Sequence, residues 1–184
     1  MALAVRPRWS LERIAALDER TLQRVAAART TLWTGFMRTI THTSLWLPLL
    51  VGAVAAAGDH SFLFGAAVGG VAAGVASLLV QVVKVTVRRA RPSMAFCLAK
   101  TLDKYSFPSG HSSAAFAVEA ASLFLAPLLF PLILLVASVV AYSRVYLGVH
   151  YPSDVLTGAV MGTVLGLLTA TGGAALQALS VFLG

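Results

Sequence analysis

Residues 62–83 read FLFGAAVGGVAAGVASLLVQVV, 22 residues without one charged side chain. A run of that length matches the ~20 apolar residues that carry an α-helix across a bilayer. It lacks the period-two alternation of a membrane β-barrel strand. The rest of the chain agrees. Of its 184 residues, 58% are hydrophobic and 11% charged, against about 25% charged in soluble domains. A soluble domain of this size has too little interior to hide so much apolar surface.

Working outward, a first span is expected from Thr39 to Ala57, with Trp46 and Pro48 inside it and a turn at Gly58-Asp59-His60. The quoted run is the second span, and its Gly69, Gly70 and Gly74 offer small faces for close helix packing. Residues 90–108 form a polar loop with Lys100, Asp103 and Lys104. A third span is expected from Ser109 to Ala126, and Pro127 and Pro131 bracket a tight turn before a fourth that ends at Tyr146. A fifth starts near Pro152 and reaches Leu168 or beyond, with an interruption at Gly172-Gly173.

Before these spans, Ser10 is a candidate cap for an amphipathic segment over 10–38. Leu11, Ile14, Leu17, Leu22 and Val25 recur at helical spacing among Arg13, Arg20, Arg24 and Arg29. Such a segment lies on an anionic membrane surface or packs on the domain as a cytoplasmic helix. Arg6-Pro7-Arg8-Trp9 does not read as a signal peptide. The expected class is all-α: a polytopic membrane helical bundle of about five transmembrane helices plus an N-terminal amphipathic helix. It divides into an N-terminal segment, 1–38, and a membrane-embedded domain, 39–184.

The net charge of +7 comes from 14 Lys and Arg against 7 Asp and Glu. With five spans, all 14 basic residues fall on one side of the membrane, and the positive-inside rule makes that side cytoplasmic. The expected location is the plasma membrane, multi-pass, with the functional site facing the cytoplasm. A basic balance here points to anionic lipid headgroups and a phosphate substrate. No nucleic-acid-binding pattern is present. The single cysteine, Cys97, has no internal disulfide partner. Glycine-rich spans permit a homodimer without requiring one.

Three blocks at the ends of apolar runs carry the chemistry. In Lys84-Val-Thr-Val-Arg-Arg-Ala-Arg91-Pro92, Lys84, Arg88 and Arg91 are spaced i, i+4 and i+7, one face of a helix that Pro92 would end. Cations there can surround an anion, or simply snorkel to the headgroups. In Pro108-Ser109-Gly110-His111, Ser109 can cap a helix and Gly110 lets a ligand approach the backbone, while the amides and dipole face an anion. His111 is placed to give a proton to a leaving oxygen; alternatively this is an ordinary helix start. In Ser143-Arg144 through His150-Tyr-Pro-Ser-Asp154, His150 and Asp154 are four residues apart and can meet on a turn. A carboxylate on one imidazole nitrogen leaves the other as nucleophile; a His–Asp cap would look the same. Arg144 is close enough to bind the same phosphate. Glu119, eight residues after His111, is a buried carboxylate in a span and hence a candidate for function or for hydrogen-bonded packing.

Taken jointly, K-x(6)-R-P, P-S-G-H and S-R-x(5)-H-x(3)-D resemble the type 2 phosphatidic acid phosphatase family, over about 70 residues from Lys84 to Asp154. The resemblance implies a metal-independent phosphatase needing no cofactor. In it, His150 forms a phosphohistidine, Asp154 orients it and His111 is the general acid. Lys84, Arg91, Ser109, Gly110 and Arg144 hold the phosphoryl oxygens. The expected substrate is a lipid phosphate, with decaprenylphosphoryl-5-phosphoribose first among them by analogy with small family members. Undecaprenyl diphosphate, phosphatidylglycerol phosphate and phosphatidic acid are alternatives. A lipid phosphotransferase and a non-enzymatic lipid-binding or flipping protein are rival functions.

Overall fold

The computed structural model describes residues 9–42, 60–101, 103–125 and 127–183. Its regular elements are all helices, with no strand among the described residues. Helix α1 is Trp9–Ala27 and α2 occupies 31–42. Then come α3 His60–Val87, α4 Gly110–Leu125, α5 Phe130–Tyr146 and α6 Pro152–Leu183, with a single 3-10 turn at Met94–Phe96. The expected first span begins within α2; Trp46, Pro48 and residues 43–59 lie outside the described residues.

The 10–38 segment is two helices. Its N-terminus is Trp9, so Ser10 sits in the first turn. The break at 28–30 is held by Tyr146 at the end of α5. Arg29 Nε donates to the Tyr146 carbonyl at 2.8 Å, and the Thr30 amide donates to the Tyr146 hydroxyl at 3.1 Å. Thr30 Oγ1 then accepts from the Trp33 amide at 3.4 Å and caps α2. Polar groups released by the break thus find partners. On α1, Asp18 and Leu22 are buried against the body, whereas Leu11, Ile14 and Leu17 are exposed. The helix is docked along one part of its stripe and presents apolar side chains along another.

Two other helix ends differ from the sequence expectation. Helix α3 continues through Lys84 and stops at Val87, five residues before Pro92, because Arg88 adopts the left-handed conformation (φ 52). The Arg88 amide still donates to the Lys84 carbonyl at 3.0 Å, and its Nε caps the Val85 carbonyl at 2.8 Å. Helix α6 passes through Gly172-Gly173 uninterrupted. A Cβ on Gly173 would lie 3.0 Å from a Val68 methyl of α3, so this glycine serves close packing, not a break.

Helix α4 packs against α6, α3 and α5. Its contact with α6 is built on Gly158, Gly162 and Gly166, spaced four apart. A Cβ at these positions would lie 2.4, 2.1 and 2.3 Å from the main-chain oxygens of Ser109, Ser113 and Ala117. The two backbones therefore touch, as small residues at four-residue spacing allow in a membrane. The expected small faces on α3 play less part: Gly70 and Gly74 have nothing within 4 Å, and only Gly69 approaches Val118. The core beside this contact is alanine: Ala72, Ala76, Ala117, Ala121 and Ala170.

The distribution of polarity is inverted relative to a water-soluble protein. Lys84, Ser109, Glu119, Arg144, His150 and Asp154 are buried, while Leu78, Val82, Leu132, Leu156 and Leu168 are each at least 60% exposed. The stretches Phe64–Val87 and Pro152–Ala175 are long and apolar enough to cross a bilayer. This is an all-helical membrane protein.

Candidate active site

The turn after α5 delivers His150. Gly148 makes that turn possible: its φ is +70, and a Cβ there would lie 2.1 Å from the Phe96 carbonyl oxygen. His150 is 2% exposed, and its Nδ1 lies 2.7 Å from the Ser106 carbonyl. A carbonyl only accepts, so Nδ1 carries the proton and Nε2 keeps its lone pair. Burial lowers the His150 pKa to about 4; the cations Arg144 and Arg91 lower it too, and Asp154 partly offsets them. The imidazole is neutral at pH 7.

The sequence expectation placed Asp154 directly on this ring. The structure puts its Oδ2 at 3.7 Å from Nδ1, beyond hydrogen-bond range. Asp154 is occupied elsewhere: Oδ2 accepts the Tyr151 amide at 2.9 Å, and Oδ1 accepts Arg89 Nη1 at 2.7 Å. The first contact arises because Asp154 stands in the opening turn of α6 and reaches back to the residue before Pro152, in the manner of a capping box. The direct partner of His150 is a main-chain carbonyl that no side-chain spacing announces.

Lys84 lies buried in the last turn of α3, and Arg91 follows in the loop. Both pair with the carboxylate of Asp103. Arg91 also donates to the carbonyls of Asp103 and Val149, which fixes the loop beside His150. Burial works against ionising Asp103, but Lys84 and Arg91 outweigh it and hold the carboxyl below its usual range. The expected stripe of Lys84, Arg88 and Arg91 does not form. With α3 ending at Val87, Arg88 is exposed and turned back on its own helix.

Arg144 is 5% exposed in the last turn of α5. One of its nitrogens donates to Thr41 Oγ1, while its Nε has no partner among the described residues. A buried guanidinium N–H left open is costly unless an acceptor arrives. His111 opens α4 and lies within electrostatic reach of Arg144, His150, Lys84 and Asp103. Ser109 caps α4, accepting the Ser112 amide at 3.4 Å. Its own amide is not available to an anion, because it donates to the Asp154 carbonyl at 3.0 Å. Glu119 is buried about two turns further along α4.

Lys84, Arg91, Ser109, Gly110, His111, Arg144, His150 and Asp154 thus gather at one end of the helices. The sequence did not point to Asp103, Ser106, Arg89, Asp18 or Ser153. One usable signal was present: Asp18 is the lone carboxylate on the stripe of Leu11, Ile14, Leu22 and Val25. Among the described residues, no three His, Cys, Asp or Glu side chains are grouped as metal ligands would be.

An all-α membrane bundle with two histidines and three cations at its helix ends defines a class of membrane protein suited to holding an anion there. The PAP2 superfamily model matches residues 65–176, more than half of the sequence, and the chain belongs to that superfamily. The resemblance carried by the three blocks therefore holds. The chain is 36% identical over 105 residues to the decaprenylphosphoryl-5-phosphoribose phosphatase of Mycobacterium tuberculosis, covering 55% of this chain and 57% of that protein. It is 32% identical over 100 residues to the undecaprenyl-diphosphatase of Sulfolobus acidocaldarius, covering 52% and 48%. The chain spans about half the length of these curated relatives. It is also similar to the crystal structure of the first transmembrane PAP2 type phosphatidylglycerolphosphate phosphatase from Bacillus subtilis. That likeness has a TM-score of 0.70 and 28% identity over 87% of this chain and 85% of that one.

Proposed function

We propose that this protein is a lipid phosphate phosphatase that works through a phosphohistidine on His150. The observation that carries the reading is a buried, neutral imidazole, proton-anchored at Nδ1 by Ser106, beside an arginine, Arg144, whose Nε has no partner among the described residues. In the first half-reaction, His150 Nε2 attacks phosphorus and the bond to the lipid oxygen breaks. His111, which takes up a proton as the phosphate's negative charge offsets the Arg144 and Lys84 cations around it, supplies the proton that oxygen needs. In the second, water attacks phosphorus as the N–P bond breaks, and His111 takes the water's proton. Lys84, Arg91 and Arg144 oppose the charge on the phosphoryl oxygens. The amides opening α4 at Gly110 and His111 serve the same end, since those of a first turn have no intrahelical acceptor. Asp154 acts on His150 at a distance and through the start of α6. No metal takes part.

The substrate is a lipid whose phosphate lies at the headgroup plane, and a polyprenyl-linked one fits best. Decaprenylphosphoryl-5-phosphoribose heads the candidates because a relative bearing that activity matches across this region. A cytoplasmic site, from the basic side of the chain, suits a lipid phosphate made inside the cell. The membrane is the plasma membrane, crossed several times. Residues 1–38 form the amphipathic N-terminal segment and 39–184 the membrane domain.

The test is phosphate release by purified wild type and His150→Ala, with EDTA present. The panel holds a prenyl-phosphoryl ribose phosphate, a prenyl diphosphate, phosphatidylglycerol phosphate and phosphatidic acid. Release by wild type alone, blocked by vanadate, is expected. Loss of all activity in EDTA would remove the metal-free mechanism. Turnover by His150→Ala near the wild-type rate would remove His150 as nucleophile.

A further inference from the structure

Asp18 in α1 is 3% exposed, although it lies on a helix otherwise rich in solvated charge. A buried carboxylate needs partners, and this one has a full set. Its Oδ1 accepts the Ser153 amide at 2.9 Å, and its Oδ2 accepts the Ser153 hydroxyl and Arg89 Nη2, the latter at 2.7 Å. Arg89 spends its other nitrogen, Nη1, on Asp154 Oδ1 and on the Ser153 hydroxyl, each at 2.7 Å. The guanidinium also lies over the Tyr151 ring, 4.4 Å from its centroid. Its position is therefore fixed from three sides.

The backbone of Arg89 has a second role. Its carbonyl accepts the Ser106 amide at 2.9 Å, and Ser106 Oγ donates to the Ala90 carbonyl at 3.0 Å. Ser106 is the residue whose carbonyl receives His150 Nδ1. One residue thus holds, by its side chain, the carboxylate near His150 and, by its main chain, the carbonyl bonded to it. Asp18 holds that residue in turn.

We propose that Arg89 is the positioning residue of the His150 site and that Asp18 completes it, so that the N-terminal helix is part of the catalytic apparatus. The proposal rests on the phosphohistidine reading. It assigns these residues no contact with the phosphate, which stays with Lys84, Arg91 and Arg144. Their loss should act on turnover and spare anion affinity.

The experiment compares full-length Asp18→Asn, Arg89→Gln and Arg89→Lys with wild type in detergent micelles. Arg88→Gln is a control of equal charge change at the exposed neighbour. Readouts are kcat and KM on the panel lipid that wild type hydrolyses, orthovanadate inhibition, and the His150 imidazole NMR signal. Supporting partners of catalytic ligands typically contribute about 10–100-fold. Arg89→Gln and Asp18→Asn should lose kcat in that range, with KM and vanadate inhibition within about threefold on the same principle of a spared anion pocket. Arg89→Lys should recover little, because an ammonium cannot fork between two carboxylates. Arg89→Gln should also raise the His150 titration midpoint, since no cation then draws Asp154 away. Wild-type kcat in both Asp18→Asn and Arg89→Gln would overturn the proposal. So would an equal loss of vanadate affinity, which would make the network a general support of the fold. Should wild type release no phosphate, the phosphatase reading falls. The His150 signal in Arg89→Gln then decides the positional link by itself: a raised midpoint upholds it and an unmoved one overturns it.

Discussion

Gly162→Ala adds one methyl group where α6 touches α4. Its Cβ would lie 2.1 Å from the Ser113 carbonyl oxygen, 2.9 Å from the carbonyl carbon and 3.0 Å from the Ala117 amide nitrogen. All three are backbone atoms, so no side chain can swing aside. Ordinary contact begins at 3.4 Å, so the helices must separate by more than 1 Å. Overpacking of this kind costs about 1–3 kcal/mol. For a chain of this size each kcal/mol moves the unfolding midpoint by about 2–4 °C. The displacement also pulls Ser109, at the start of α4, from the Asp154 carbonyl it bonds at 3.0 Å. A misplacement of about 1 Å among reacting groups is worth roughly 10²-fold in rate. The matching control is Gly172→Ala on the same helix, with nothing within 4 Å. There alanine's helix preference should add up to about 1 kcal/mol. Thermal unfolding in micelles and phosphate release read both effects. A Gly162→Ala protein that melts at or above the wild-type temperature and turns over normally would refute backbone contact between α4 and α6.

Two further outcomes follow from the charges at the site. Lys84 and Arg91 both pair with Asp103, so an incoming phosphoryl group competes with that carboxylate. Asp103→Asn should strengthen vanadate inhibition by about 3–10-fold, the scale of partly exposed ion pairs taken together; weaker inhibition would make Asp103 a support for the cations. The folded-state pKa of His150, about 4, lies below the ordinary 6.5. The neutral nucleophile therefore persists as pH falls from 7 and is lost only through about 4. The NMR titration of His150, assigned by its absence in His150→Ala, should show that midpoint; one at or above 6.5 would refute the burial argument.

The extent to which sequence revealed this site depended on where each signal was written. Apolar runs and the blocks around Lys84, His111 and His150 are local, and they located α3 to α6 and the candidate residues that the structure gathers at one end of the helices. The end of α3 was misplaced because Pro92 looked like the stop. The actual stop is Arg88 in a left-handed conformation that arginine has no marked preference for. The three-cation stripe failed with it. The glycines misled in the other direction. Gly172-Gly173 looked like a break, but tertiary packing against Val68 keeps the helix whole. The decisive stripe, Gly158, Gly162 and Gly166, has the four-residue spacing that small-residue packing uses and was legible in principle. Ser106 was not, because it acts through its main chain, which every residue possesses.

The N-terminal helix shows how a surface pattern can conceal an active-site role. Its arginines and leucines suit an anionic membrane, and Leu11, Ile14 and Leu17 do stay exposed. Asp18 changes the energetics of that surface. An ionised carboxylate buried without partners costs several kcal/mol, so α1 does not rest in its observed place unless Arg89 and Ser153 receive Asp18. Those same groups border Asp154. Docking of α1 and arrangement of the His150 surroundings are therefore one equilibrium, although Asp18 lies before residue 38 and its partners after it.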